Sequence, residues 1–355
     1  MNLAIQPSLA PPVWPGNERL RCVLRREETA DTATFALAAD SPRVFDYRPG
    51  QFVLVSVVID GAAHQRAYSI SSSPSRPGNL AITVRRVPGG RVSNWLLDNL
   101  HRGDELLVGA PAGEFHLNPL ALPERVALFS GGCGITPMLS ISRYLLDSRA
   151  GTPIHFIHSA ASPEDLIFRD ELLAMAAAHP EFRLELFLLE GAERSRHPAR
   201  TGLLDAGQIA ALLPDLNGVE AWSCGPQGYM DMVEDALRGQ GLAASRFHRE
   251  SFTGAAAPRI EPAAGGDLRH ALRIPRFNAV AELAHGESLL DGLLRAGVPI
   301  VAACRAGVCG SCKCKVTHGE VERASTATLT EEDLAAGMVL ACSTQARGDV
   351  EVDLG

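Results

Sequence analysis

Three cysteines within one short loop constrain this chain more than any other feature. Cys304, Cys309 and Cys312 stand at C-x4-C-x2-C spacing, and Cys342 follows after 29 intervening residues. That is the plant-type spacing for ligands of a 2Fe–2S cluster, whose fourth thiolate arrives from further along the chain. The small residues between them (Ala306, Gly307, Gly310, Ser311) let the backbone wrap one compact object, and its N–H groups can hydrogen-bond the cluster sulfurs. Two other readings compete. Zinc sites usually pair two short C-x2-4-C knuckles, whereas one long loop supplies three of the four ligands here. A disulfide framework goes with a secretory signal, and the N-terminus MNLAIQPSLAPPVWPG lacks the basic start and apolar core of one. Cys314 is surplus to the set and reads as a structural or incidental thiol.

At 355 residues the chain has room for two or three domains. No apolar run approaches the length of a membrane span. A net charge of −8 gives no electrostatic support to a nucleic-acid role. Eight cysteines without a signal point to the cytoplasm, with thiols reduced or bound to metal.

Residues 1–16 are proline-rich and aperiodic, so a mobile or loosely docked tail is expected. From 17 to 118, short β-branched and aromatic runs (RCVLRREET, TATFALAA, QFVLVSVVI, HQRAYSIS, NLAITVRRV) alternate with turn signals, the pattern of an antiparallel β-barrel. A helix over 92–100 interrupts them. From 119 to 252, strands at 126–130, 154–158, 183–189 and 220–223 alternate with helices at 138–146, 164–178, 205–213 and 229–239. That is an α/β domain with a parallel sheet. Residues 253–272, rich in Ala, Gly and Pro, read as a linker. Residues 273–355 form a small domain around the cysteine loop.

Three further segments carry chemistry. Arg66-Ala67-Tyr68-Ser69-Ile70 lies on a strand, with a cation for phosphate, a flat aromatic for stacking and a hydroxyl for ring nitrogens. Arg85, Val87, Gly90, Arg91, Val92 and Ser93 form a basic, glycine-bearing turn at a helix start, where backbone N–H groups and the helix dipole favour a pyrophosphate. Gly131, Gly132, Gly134, Ile135 and Thr136 lie in a strand-to-helix turn that lets a dinucleotide approach the backbone. Cys224, Gly225 and Pro226 follow the last strand, at the end where α/β sheets bind ligands.

These motifs together resemble the ferredoxin–NAD(P)+ reductase family over residues from about 18 to 252, and the remainder is similar to a plant-type ferredoxin, an α+β β-grasp domain. Within the family the chain looks most like the reductase components of Rieske-type demethylating oxygenases, of the glycine betaine demethylase kind. The phrases Val87-Pro88-Gly89-Gly90-Arg91-Val92-Ser93-Asn94-Trp95-Leu96 and His248-Arg249-Glu250-Ser251-Phe252 carry that likeness. Hybrid-cluster-protein reductases share the layout.

The resemblance implies that Arg66 holds a flavin phosphate, Tyr68 stacks on the isoalloxazine and Ser69 lies near N5. It further implies that Gly90–Ser93 bind the pyrophosphate, Thr136 lines the nicotinamide pocket and Cys224 lies near nicotinamide C4. Glu250 and Phe252 would close the flavin site. Tyr68, Ser69 and Cys224 would surround the reacting atoms. Cys133 is a departure, because the family more often has Thr or Ser there. FAD is expected, with FMN as the alternative. NADH is expected over NADPH, because Ser159-Ala160-Ala161-Ser162 offers no cation where NADPH users tend to place Arg; Arg194, Arg196 and Arg200 lie in a later loop. The implied partner is a terminal Rieske-type oxygenase or another one-electron acceptor, with no nucleic acid and no membrane. A redox-sensing flavin and iron–sulfur module is the alternative from another class.

Overall fold

In a computed structural model that describes residues 11–252, 269–300, 307, 310, 312–326 and 329–354, the first five runs become five strands and a sixth follows at 105–108. They are β1 (Glu18–Thr29), β2 (Thr32–Ala38), β3 (Phe52–Ile59), β4 (Ala62–Ser69), β5 (Leu80–Arg85) and β6 (Glu105–Val108). The order is β4-β3-β6-β1-β2-β5, and every pairing is antiparallel. An antiparallel bridge from Ile70 to Ile82 joins the two outer strands, closing the barrel just beyond β4. Alternate residues such as Phe35, Leu37, Val53 and Val55 fill it, and α1 (Arg91–Asn99) adds Val92 and Leu96 one turn apart. Each such side chain contributes roughly 1.5–3 kcal/mol by leaving water.

The tail expectation is corrected for residues 11–16. Trp14 is 4 % exposed, its ring centroid lies 5.1 Å from that of Phe45, and its N–H donates to the Val44 carbonyl at 2.9 Å. A large aromatic docks where proline content alone suggests freedom.

The second layer holds β7 (Arg125–Gly131), α2 (Ile135–Asp147), β8 (Ile154–Ala160), α3 (Arg169–Ala178), β9 (Phe182–Leu188), β10 (Ala199–Thr201), α4 (Ala206–Leu212), β11 (Val219–Cys224), α5 (Gln227–Gly239) and β12 (Phe247–Glu250). The sheet order is β10-β9-β8-β7-β11-β12, with β7, β8, β9 and β10 paired in parallel. β7 is buried from Val126 to Gly131, as a strand covered on both faces must be. The helix expected at 164–178 is split. A 3₁₀ turn at Pro163–Asp165 precedes Phe168, whose φ of 58° stops the helix from starting before Arg169.

The third layer comprises β13 (Arg269–Ile274), β14 (Ala279–Ala284), α6 (Leu289–Arg295), β15 (Lys313–His318), β16 (Val321–Arg323), α7 (Glu331–Ala335), β17 (Met338–Leu340), β18 (Thr344–Ala346) and β19 (Val350–Asp353). Its mixed sheet runs β14-β13-β19-β15-β17, with Leu289, Leu290 and Leu293 of α6 in its core, a β-grasp arrangement. β13 starts at Arg269, four residues inside the stretch expected to be linker. The rest of that stretch, 253–268, lies outside the described residues. Contacts group the chain into two units. One runs through Pro111 with His116–Ser223 and Met232–His248; the other takes Ala112–Phe115, Cys224–Asp231 and the chain from Arg249 on. Among the described residues no helix is long and apolar enough to cross a membrane.

Two carboxylates at the seam between barrel and parallel sheet make it acid-sensitive. Burial opposes their charge, but hydrogen bonds and charge from Arg76 on Asp147 and from Arg143 on Glu171 outweigh it, so both sit below their ordinary values of 3.8 and 4.5. A carboxyl depressed on folding contributes stability that is present above its unfolded value and lost as pH falls through the folded one. The seam is therefore expected to loosen below about pH 4. Hydrogen-exchange protection of residues 71–76 should fall there before that of β2, and simultaneous loss in both would refute it.

Candidate functional site

β4 and the turn after β7 bring two sets of expected site residues together. Tyr68 is half-buried at the end of β4. Burial first, then the neighbouring Cys133, push its phenol above the ordinary range, while Arg66 opposes them. The turn Gly132–Gly134 is one 3₁₀ turn, and Gly134 caps α2. A Cβ on Gly132 would lie 3.2 Å from Nη1 of Arg85. So the nucleotide-type turn lies against the end of β5 and within electrostatic reach of Tyr68. Cys133 is pushed up to about 11 by burial, with Arg85 opposing. It is a thiol at neutral pH and a poor nucleophile. Thr136 is buried and donates its hydroxyl to the Cys133 carbonyl at 3.2 Å, which fixes the first turn of α2.

Other expected residues divide by side-chain direction. Ile70 and Val92 are 0 % and 1 % exposed, so their side chains belong to the barrel core, and the Ile70 N–H donates to the Gln51 carbonyl at 2.8 Å. Ile70 therefore does not share the exposure of Arg66. Arg66 is exposed and donates to the Gln65 carbonyl at 2.7 Å. Arg85 donates Nε to Asp31 at 2.8 Å, and Arg91 pairs with Asp60 at 3.5 Å. The Val87–Gly90 turn closes with a Gly90 N–H to Val87 carbonyl bond of 2.8 Å. A Cβ on Gly90 would meet the Ser93 hydroxyl at 2.5 Å, so backbone and hydroxyl are tightly packed. α1 has no side-chain cap and no acidic residue in its first turn, so its N-terminal N–H groups suit an anion. These features fit a dinucleotide flavin.

The sheet order reverses at β7, which lies between β8 and β11 and is thereby the switch point where α/β sheets take ligands. Ser69 and Gly131 are buried at the ends of β4 and β7. Cys224 ends β11 fully buried, Gly225 and Pro226 follow it, and the Pro226 carbonyl accepts from Met230 as α5 begins. Glu250 is 8 % exposed at the end of β12, and Phe252 is 44 % exposed. Motif reading missed His158 on β8, whose Nδ1 lies 2.8 Å from the Ser130 hydroxyl. Burial holds its imidazole down to about 4, so it is neutral at physiological pH. Beyond β9, Arg194 forks onto Glu164 at 3.1 and 3.4 Å, and Arg200, on β10, pairs with Glu185 at 3.4 Å.

In the C-terminal layer Cys312 and Cys342 bring their sulfurs to 3.2 Å, both buried. A disulfide needs about 2.05 Å, so the sulfurs are not bonded to each other. The Gly307 N–H donates to the Cys342 sulfur at 3.2 Å, and the Cys342 N–H points to the Cys312 sulfur at 3.4 Å. Donors aimed at sulfur stabilise thiolates, the form a cluster binds, so these residues fit an iron–sulfur ligand set. Cys304 and Cys309 lie outside the described residues. Cys314 is buried on β15 and its thiol is pushed up to about 12 by burial, which fits a structural thiol. In the acidic run 331–333, Asp333 is committed to a capping box with Thr330 and to Lys313 at 2.9 Å.

Comparison with known proteins covers the same three layers. Residues 20–117 match the oxidoreductase FAD-binding domain, 128–235 the oxidoreductase NAD-binding domain and 276–347 the 2Fe-2S iron-sulfur cluster binding domain. The chain is 38% identical over 352 residues to the glycine betaine monooxygenase reductase subunit of Pseudomonas aeruginosa, covering 95% of each. It is 32% identical to the stachydrine N-demethylase reductase subunit of Rhizobium meliloti, covering 96% of this chain and 97% of that one. Among solved structures it is similar to phthalate dioxygenase reductase, described as a modular structure for electron transfer from pyridine nucleotides to [2Fe-2S]. That match has a TM-score of 0.61 and 25% identity over 95% of this chain and 98% of that one.

Proposed function

Because the chain belongs to the ferredoxin–NAD(P)+ reductase family, as an oxidoreductase that uses FAD, NADH and a 2Fe–2S cluster, we propose that it is the reductase component supplying electrons to a Rieske-type demethylating oxygenase. The observation that carries this is continuity: one alignment of 352 residues joins all three layers to a monooxygenase reductase subunit, and a demethylase reductase subunit aligns over nearly the same span. When bound, flavin and cluster supply the exchange between two-electron and one-electron chemistry.

The chain's own residues bind, orient and shield. Arg66 and the N-terminal N–H groups of α1, from Arg91 to Ser93, with Arg85, Val87 and Gly90 behind them, would hold the flavin phosphates. Tyr68 would present its ring face to the flavin, and Ser69 a hydroxyl to its edge. Gly131, Gly132 and Gly134 would admit the nicotinamide dinucleotide to the backbone, with Ile135 and Thr136 walling the pocket. Cys224, Gly225 and Pro226 are assigned to the nicotinamide side, and Glu250 and Phe252 to closing the flavin site. Cys304, Cys309, Cys312 and Cys342 would ligate the irons. A place in the cytoplasm belongs to the same reading, since thiolate ligands need a reducing compartment.

The test is reconstitution. With NADH, O2, glycine betaine, the purified protein and the oxygenase subunit of a glycine betaine monooxygenase, formaldehyde should form in step with NADH oxidation. NADPH should serve at least about tenfold less well in kcat/KM, because Arg194 and Arg200 already have carboxylate partners that a 2′-phosphate would have to displace. NADH oxidation that never reduces the oxygenase would sink the partner assignment, and an NADPH preference would sink the cofactor assignment.

A further inference from the structure

The helix that starts at the nucleotide turn also grips the chain just beyond the flavin strand. α2 carries Thr136, Ser140, Arg143 and Asp147 at steps of four, three and four residues, which puts them on one helical face. Ser140 donates its hydroxyl to the Ser72 carbonyl at 2.6 Å, and Arg143 donates Nη1 to the Ser71 carbonyl at 2.5 Å. Asp147 accepts from the Ser75 hydroxyl at 2.5 Å and from Arg76 at 2.7 and 2.8 Å. Residues 71–76 are thus fastened along the length of α2, two residues after Ser69.

Arg143 is the best-held member of this row. Its side chain is only 11 % exposed, and it forks onto Glu171 of α3 at 2.7 and 2.6 Å. Its guanidinium lies 5.5 Å from the ring centroid of Phe168, and Arg26 of β1 lies 5.9 Å from the same ring. Phe168 is buried with φ 58°, a conformation that a bulky residue keeps only when its surroundings impose it. From the other side, the Ser71 hydroxyl meets Thr83 at 2.9 Å, Thr83 meets Thr34 at 2.8 Å, and Thr34 donates to Glu28 at 2.6 Å. Ser71 is therefore held by the barrel through its hydroxyl and by α2 through its carbonyl.

We propose that Arg143 is a positioning residue for the transfer from nicotinamide to flavin: it locks α2, whose first turn holds Thr136, to the carbonyl that follows Tyr68 and Ser69, and so fixes the gap between the two rings. This rests on the flavin and nicotinamide assignment above. In that step two electrons and a proton pass together from NADH, which becomes NAD+, to the flavin. The step is steep in distance, since a misplacement of about 1 Å costs on the order of a hundredfold. A planar guanidinium serves a carboxylate and a carbonyl at once, which a lysine ammonium does not reproduce.

The test uses full-length holoprotein carrying Arg143→Met, Arg143→Lys or Glu171→Gln, the last keeping side-chain shape and touching neither ligand nor Ser71. Stopped-flow reduction of the flavin by NADH reads the limiting rate and the NADH dissociation constant separately. The limiting rate should fall about ten- to a hundredfold in Arg143→Met and less in Glu171→Gln, with NADH affinity within about threefold and flavin content unchanged. The long-wavelength absorbance of the nicotinamide–flavin pair should weaken in the same order. Amide exchange at 70–76 should rise in the flavin-free variants. A limiting rate within about twofold of wild type, or a loss that only tracks flavin content, overturns the proposal. If wild-type flavin is not reduced by NADH at all, the assignment beneath the proposal fails, and the proposal with it.

Discussion

Cys342→Ser is expected to lower NADH-driven cytochrome c reduction by about a hundredfold or more while leaving ferricyanide reduction within about twofold. Cytochrome c accepts one electron from the exit end of the chain, whereas ferricyanide takes electrons from the flavin directly. Cys342 is buried, its sulfur lies 3.2 Å from that of Cys312, and it receives the Gly307 N–H. Gly307 has φ 72°, and a Cβ there would come within 2.5 Å of the Ser343 hydroxyl, so its backbone packs closely at this corner. A serine oxygen is a harder donor than sulfur and its hydroxyl is far less acidic than a thiol, so iron binding at this corner fails or weakens. Visible absorption should show the flavin bands intact and the iron–sulfur bands reduced. Survival of both activities would remove the cluster from the exit path.

The barrel and the parallel sheet are legible because their signals are local. β1 to β5 follow short β-branched and aromatic runs set off by turn signals, and β7 to β9 follow short apolar runs between helices. What failed locally was decided by distant contacts. Trp14 docks on Phe45, which no run of prolines announces. Arg269–Leu272 reads as linker by composition but pairs with β14 and β19, the latter some eighty residues away. β15 to β19 went unread for the same reason, since short strands joined by long-range pairing carry little periodicity. Motif membership named Ile70 and Val92, but burial decides that their side chains belong to the core. The polar row on α2 was present in ITPMLSISRYLLD as a 136, 140, 143, 147 repeat within a mostly apolar helix. Its partners, Ser71, Ser72 and Arg76, became apparent only once the barrel stood against it.

Gly132→Val separates the entry of electrons from their exit. It is expected to lower kcat/KM for NADH about tenfold to a hundredfold with cytochrome c and ferricyanide alike, while FAD stays bound. Gly132 has φ 55°, where a β-branched residue is strained by about 1–3 kcal/mol. The new Cβ would also stand 3.2 Å from Nη1 of Arg85, and that guanidinium is not free to retreat because Asp31 holds its Nε at 2.8 Å. Either the turn opens and shifts Gly134, Ile135 and Thr136, which disturbs the nucleotide side alone, or Arg85 leaves Asp31, which would also reach the flavin-phosphate side; the expected result is the first. The flavin phosphates would lie against the other end of that segment, at Gly90–Ser93, so flavin content is the internal control. Gly132→Ala keeps the positive φ problem without the β-branch and should lie between Val and wild type. Ferricyanide reduction that persists at the wild-type rate in Gly132→Val would detach this turn from nicotinamide binding. A loss that rises only with flavin depletion would reassign it to holding the flavin.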